Sequence, residues 1–146
     1  MLKIIKTKLS RGARLPRKAH PDDAGADIYS LDTVTLYRGD TYTFVSGVRI
    51  RLPDDCYALI VGRSSKAQHG LLTHVGVIDT GYTGEIGVTI TNVGTKPRLV
   101  EEGDKIAQLL ILPRLDCKHE LVSDDEWDEI RQGATRGDNG FGSTGQ

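Results

Sequence analysis

Ten residues near one end of the chain, Arg136-Gly137-Asp138-Asn139-Gly140-Phe141-Gly142-Ser143-Thr144-Gly145, set one guanidinium, one aromatic ring and two hydroxyls among four glycines. Such a segment cannot build a core. Glycine raises the entropy cost of ordering, and only Phe141 is apolar enough to offset it. It can, however, wrap a ligand. Arg136 offers a forked donor to phosphate, Ser143 and Thr144 offer hydroxyls, glycines such as Gly142 leave backbone N–H groups accessible, and Phe141 offers a face to a base. Composition alone also describes a disordered tail.

Four further segments carry groups of comparable interest. Gly62-Arg63-Ser64-Ser65-Lys66 follows an apolar run and precedes a short helical stretch. Two hydroxyls and unpaired N–H groups at a helix start are either an anion site or an ordinary serine cap. Asp79 lies in Gly76-Val77-Ile78-Asp79-Thr80-Gly81-Tyr82-Thr83-Gly84-Glu85, after a run of apolar residues and before a glycine-bounded hairpin, where a carboxylate is either a turn cap or a positioned base. Tyr82 is packing or a platform for a flat ring. Gln108 interrupts the apolar run that follows Gly103-Asp104-Lys105, and a buried amide there needs partners: backbone, a water or a ligand. Asp27 enters a strand after Pro21-Asp22-Asp23.

The elements that must position these groups read as strands. Short β-rich runs at residues 2–8, 33–37, 41–45, 48–52, 57–61, 85–91, 105–112 and 118–122 alternate with turn signals such as Gly39-Asp40 and Pro53-Asp54-Asp55. The expected fold is all-β, a jelly-roll-like barrel with one or two short helices and a glycine-rich flexible C-terminal arm. The helical stretches are residues 64–70 and 123–130, where Ser123 and Glu126 have capping-box spacing. The expected division is a barrel over residues 1–132 and a lid segment over 133–146, within a single domain. At 146 residues and 38% hydrophobic content the chain suits one core. A net charge of −1 gives no general attraction for nucleic acid, so any polyanion must meet a local cluster of cations. No run approaches the roughly 18 apolar residues of a membrane span, and the expected location is cytosolic. Cys56 and Cys117 have no CxxC partner and read as buried thiols, and the four histidines lack metal-ligand spacing.

Taken together, AGADIYS, GRSSKAQHG, GVIDTGYTGEIGV, EEGDKIAQLLI and RGDNGFGSTG resemble, in order, the five motifs of the trimeric dUTP pyrophosphatases, or dUTPases. The resemblance implies hydrolysis of dUTP to dUMP and pyrophosphate by water attack at the α-phosphorus. That reaction limits uracil incorporation into DNA and supplies dUMP for thymidylate synthesis. Carried over, Asp79 is the base and Tyr82 lies under the sugar. Arg63, Ser64 and Ser65 contact the α- and β-phosphates, and Gln108 holds the attacking water or a nearby phosphate. Backbone at Thr73, Gly76, Val77, Ile78, Ile86, Gly87 and Val88 reads uracil. Arg136, Gly142, Ser143 and Thr144 close over the γ-phosphate while Phe141 stacks on the base.

The resemblance further implies Mg²⁺ held by the triphosphate and waters. No direct protein ligand is expected, and Asp27 would hydrogen-bond a metal-bound water. It implies a homotrimer with sites at the subunit interfaces, no direct nucleic-acid partner, no membrane, and a cytoplasmic location, or the host-cell cytosol for a viral protein. Gly62 stands where many members have proline, and Thr73-His74 where many bacterial members have asparagine. Asp138-Asn139 makes the last motif more acidic. A dCTP deaminase of the same fold and a nucleotide-gated binding protein are the competing readings, separated from the first by ammonia release and by absent turnover.

Overall fold

The computed structural model describes residues 2–138. In chain order the elements are β1 (Lys6–Leu9), β2 (Gly25–Tyr29), β3 (Val34–Leu36), β4 (Thr41–Arg51), β5 (Cys56–Val61), α1 (Ser64–Gln68), β6 (Leu71–Thr73), β7 (Gly76–Ile78), β8 (Glu85–Asn92), β9 (Arg98–Val100), β10 (Lys105–Pro113) and α2 (Asp124–Gln132). With 41% strand and 10% helix, this is the all-β, jelly-roll-like fold. One sheet has the order β1-β4-β8-β6, a second β2-β10-β5-β7, and a third pairs β3 with β9.

Period-2 alternation builds the core between the sheets. On β8, Ile86, Val88 and Ile90 point inward, and on β5, Ala58 and Ile60 do so. They join Ile28, Phe44, Ile106 and Leu109 in one cluster that draws on both large sheets. Most of these residues are β-branched or aliphatic, the types that fill a pleated surface with few rotamers.

Two of the expected runs, 41–45 and 48–52, are one strand. At the join Gly47 takes φ 68° and the β4–β8 register shifts between Val45 and Arg49, so a bulge bends β4 without ending it. A Cβ at Gly47 would lie 2.7 Å from both Ala13 Cβ and Leu31 Cδ1, which leaves glycine as the residue that fits. Residues 118–122 form no strand, and β1 begins at Lys6 instead of residue 2. The short strands β6, β7 and β9 were not foreseen. Cys56 is buried, and burial together with the adjacent Asp55 carboxylate pushes its thiol pKa up; Cys117 is exposed, contrary to expectation.

The described chain falls into two compact units, divided after Leu115. In the second, Ser123 Oγ accepts from the Glu126 amide at 3.2 Å and caps α2, whose first turn carries Asp124, Asp125 and Glu126, the signs that a helix N-terminus favours.

Asn92, fully buried at the end of β8, ties three segments together. Its Nδ2 donates to the Leu36 carbonyl at 2.8 Å and the Lys96 carbonyl at 2.9 Å, and its Oδ1 accepts from the Gly94 amide at 3.0 Å. Asn92→Ala leaves these backbone groups unpaired and is expected to cost roughly 2–3 kcal/mol. Urea unfolding at fixed protein concentration measures it; a loss below about 0.5 kcal/mol, the level of an ordinary surface change, would show that the network is dispensable.

Candidate active site

The candidate site is organised by β10, which lies between β2 and β5 in the second sheet. Gln108 stands opposite Asp27 of β2 on one side and Val61 of β5 on the other. Directly opposed residues on one face lie about 4.5–5.5 Å apart at Cβ, so the ladder sets the amide beside the carboxylate. Arg63, two residues beyond Val61, reaches back to place Nε 3.2 Å from Asp27 Oδ1. Lys105 places Nζ 2.8 Å from Asp27 Oδ2. Asp27 is only 6% exposed, and its backbone amide donates to the Arg17 carbonyl at 2.8 Å.

Space for the amide comes from Gly25. A Cβ there would stand 2.8 Å from Gln108 Oε1 and 3.0 Å from Gln108 Cβ. Gln108 itself is half-buried, more open than the enclosed amide expected from the apolar run. Around the two cations that pair with Asp27, a cleft of about 430 Å³ is lined by Arg63, Ser65, Lys66, His69, Asp104 and Lys105, among others. Sequence reasoning passed over Lys66 and Lys105, which lie in the GRSSKAQHG and EEGDKIAQLLI segments and line this cleft. The signal was local charge: a polyanion needs a cation cluster, and these two complete it.

The helix cap differs from expectation. Arg63, with φ −103° and ψ 140°, is the N-cap of α1 and makes no side-chain capping bond. Ser64 and Ser65 therefore begin a five-residue helix, both exposed, with hydroxyls that are not spent on capping.

Asp79 and Tyr82 sit on a pinned turn between β7 and β8. The Tyr82 amide donates to the Asp79 carbonyl at 3.0 Å, and Thr80 Oγ1 donates to the Cys56 carbonyl at 2.6 Å. Arg51 Nη1 donates to the Thr80 carbonyl at 2.9 Å. The Tyr82 hydroxyl donates to the Glu85 carbonyl at 2.8 Å, and its ring lies where a side chain at position 84 would be, which requires Gly84. Asp79 is exposed, as is Tyr82 at 45%.

The expected hairpin is absent as a ladder. β7 pairs with β5, and β8 pairs with β4 and β6; among the described residues no ladder joins β7 to β8. The reason is that the chain crosses between sheets after Thr73, with the His74 amide donating to the Thr89 carbonyl as the last tie to β8. Backbone edges of residues 76–78 and 86–88 are thus not consumed by each other. Ile78, Ile86 and Val88 turn their side chains into the core, so only their backbone can meet a ligand, and the Ile86 carbonyl already accepts from Ser46 Oγ at 2.5 Å. Gly76 stands opposite Ile60, while Val77 and Gly87 face outward. Thr73 is buried, and its hydroxyl has no hydrogen-bond partner among the described residues; it lies against Gly62.

One separation decides how these parts can act. Ile78 pairs with Ala58, so Asp79 stands near the Cys56 end of β5, whereas Arg63, Asp27 and Gln108 gather at its Val61 end. From Tyr57 to Arg63 is roughly 20 Å at about 3.3 Å per residue. One chain does not bring the two groups together. Arg136 lies in the second unit, and Phe141, Gly142, Ser143 and Thr144 lie outside the described residues. Asp138 pairs with Arg131 Nη2 at 2.8 Å.

Comparison with known proteins matches the dUTPase family model over residues 11–145, a span that takes in all five motifs. The chain belongs to the dUTPase family. It is 42% identical to the deoxyuridine 5'-triphosphate nucleotidohydrolase of Clostridium novyi, with 99% of each chain covered. Its fold matches a mutant Staphylococcus bacteriophage 80alpha dUTPase bound to dUpNHpp with a TM-score of 0.85 and 27% identity, covering 98% of this chain and 99% of that one. A mutant dUTPase from phage phi11 of S. aureus, which coordinates a structural Mg(II) ion, matches with a TM-score of 0.76 and 28% identity over 84% of this chain and 99% of that one. This dUTPase is accordingly a hydrolase of dUTP. Among its described residues no group of three or more His, Cys, Asp or Glu side chains could hold a metal, and no helix is long and apolar enough to cross a membrane.

Gly25→Ala tests the packing of Gln108. The added methyl displaces the amide, and misplacement of a reacting group by about 1 Å costs on the order of 10²-fold in rate. Turnover is expected to fall by one to two orders of magnitude, with folding retained by circular dichroism; unchanged turnover would mean that the amide's position is immaterial.

Proposed function

We propose that this dUTPase hydrolyses its substrate by water attack at the α-phosphorus, in a site assembled from neighbouring copies of the chain. The separation along β5 carries this reading. A general base must lie within about 2.6–3.2 Å of the proton it takes, or one water away, and Asp79 cannot meet that condition for a phosphate held by Arg63 of the same chain. A homotrimer with C3 symmetry brings the Asp79 end of one subunit to the Arg63 end of the next and closes after three. The first sheet also has an outer surface suited to association: Thr41, Thr43, Val45, Thr89, Thr91 and Leu72 form an uncharged face, with Thr41–Thr91 and Thr43–Thr89 hydroxyl bonds of 2.7 and 2.8 Å.

In the assembled site, Arg63 with Ser64 and Ser65 binds the α- and β-phosphates, and Gln108 orients the water. Asp79 removes the water's proton as the oxygen attacks, and pyrophosphate departs. Tyr82, braced on Glu85 and Gly84, lies under the deoxyribose and leaves no room for a 2′-hydroxyl. Uracil enters between the unpaired edges at Thr73, Gly76, Val77 and Ile78 and at Ile86, Gly87 and Val88, where backbone groups read its edge. Arg136, Gly142, Ser143 and Thr144 close over the γ-phosphate, and Phe141 covers the base. The donor set suits a cation that keeps its own waters: Asp27 is already compensated by two cations and can accept a hydrogen bond from a water more readily than it can ligate an ion. Mg²⁺ bound to the triphosphate would neutralise phosphate charge. A cytoplasmic setting suits an enzyme of the deoxynucleotide pool.

Subunit complementation tests the shared site. Asp79→Asn is expected to slow turnover by roughly 10²–10⁴, and Arg63→Ala to be similarly impaired. Refolded together in equal amounts, the two variants should regain about a quarter of wild-type pyrophosphate release, the random chance that one site draws an intact residue from each neighbour. No recovery would leave the single-chain site as the alternative.

Deleting residues 136–146 tests the lid. Loss of the Phe141 stack is expected to cost about 1–3 kcal/mol, and loss of Arg136 removes a charge-assisted bond of about 1.5–3 kcal/mol. Turnover should fall more than dUTP affinity, because a lid that excludes water acts chiefly on the reacting state. Unchanged turnover would make the segment an appendage.

A further inference from the structure

The ion pairs of Asp27 point to a role for Lys105, a role that rests on Arg63 being a phosphate ligand. Arg63 and Lys105 hold opposite oxygens of one buried carboxylate, at 3.2 and 2.8 Å. The two cations are not held equally. Arg63 touches Asp27 through Nε alone, and that nitrogen is buried without a well-aligned acceptor. Its guanidinium is thus held by charge and not by the two-pronged geometry in which arginine binds carboxylate or phosphate best. A phosphate entering the adjacent cleft, which Arg63 and Lys105 both line, offers that geometry.

Arg63 cannot simply leave. A buried carboxylate stripped of its counter-charge is strongly destabilising. Lys66 does not supply the replacement, since its ammonium lies 3.7 Å from Asp104. We propose that Lys105 is a positioning residue that keeps Asp27 compensated while Arg63 turns from Asp27 Oδ1 to the triphosphate. A lysine suits this task. Its compact ammonium satisfies one oxygen without forming the fork that would compete for the phosphate.

The test is calorimetric binding of inorganic triphosphate in EDTA, which removes any contribution of Asp27 through a metal-bound water. Lys105→Met leaves Arg63 as the sole partner of Asp27 and is expected to weaken binding about tenfold or more, within the range of couplings between contacting charges. Lys105→Arg, which keeps the charge, should stay within about threefold of wild type by the same measure. The double variant Asp27→Asn with Lys105→Met should recover wild-type affinity, because a neutral amide no longer retains Arg63. In turnover, Lys105→Met should raise KM for dUTP more than it lowers kcat. Wild-type affinity in Lys105→Met would overturn the proposal. So would a double variant as weak as Lys105→Met, which would make Lys105 a direct phosphate ligand, or a Lys105→Arg as weak as Lys105→Met. Arg63→Ala separates the layers: if it binds triphosphate as wild type does, the phosphate role of Arg63 falls and this inference with it. Intact binding without dUTP hydrolysis would strike only at the hydrolytic mechanism.

Discussion

The cluster of Asp27, Arg63, Lys105 and Gln108 depends on the register of β10 between two antiparallel neighbours. Because side chains alternate with period two, a slip of one residue would turn Gln108 inward and carry Leu109 to the ligand side. The register is held by what lies on the opposite face. Ala107 and Leu109 are buried in the core with Ile28 of β2 and Ile60 of β5, Ile106 joins them through the bulge between Lys105 and Ala107, and a slip would expose them. The hydrophobic effect thus fixes the position of a polar amide that contributes nothing to the core. Most of the remaining geometry follows: Asp27 is beside Gln108 because β2 pairs there, and Arg63 arrives because β5 ends two residues earlier.

Such a scaffold places charge where a loop alone could not. Asp27 is buried on a strand, so its carboxylate is fixed in direction, and the cost of burying it is offset by the cations drawn to it. Those cations are the ones a polyphosphate needs. The cluster is therefore organised around an internal acid, which lets positive groups gather at one place in a chain whose net charge is −1. The turn carrying Asp79 follows another rule. It is held by backbone acceptors and by Arg51 and Thr80, and among the described residues the Asp79 carboxylate meets no side-chain partner.

The five motif segments were legible in the sequence, since residue types and order are direct records of chemistry. The long strands β5, β8 and β10 were legible because each carries several alternating apolar residues. β6, β7 and β9 have three residues each, too few for a period to show, and they exist because neighbouring strands supply their hydrogen bonds. β4 read as two strands because Ser46-Gly47 interrupts the apolar pattern, yet a bulge absorbs the interruption. Residues 118–122 alternate well enough to suggest a strand, but alternation states only that a segment can pair, not that a partner is at hand. The role of Lys105 was hidden for a related reason. A lysine at the head of a strand is ordinarily solvated, and only the buried acid diagonally across the ladder gives it a fixed task.

A site divided between subunits, as proposed, suits the geometry of β5. β5 is one unbroken strand that holds the Asp27–Arg63 pair at one end and the Asp79 turn at the other. A single chain that folded both groups together would need a bend in β5 or a long loop, and either would loosen one half of the geometry. In the proposed trimer that choice would not arise, because the distance between the two ends of the strand would become the distance between two half-sites, each completed by a neighbour. The uncharged patch of Thr41, Thr43, Val45, Thr89, Thr91 and Leu72 on the first sheet and the exposed Val75 and Val77 beside the Asp79 turn are surface that folding within one chain leaves at least partly open. In the proposed trimer the strand that keeps Asp79 and Arg63 apart within a subunit is the element that would align them between subunits.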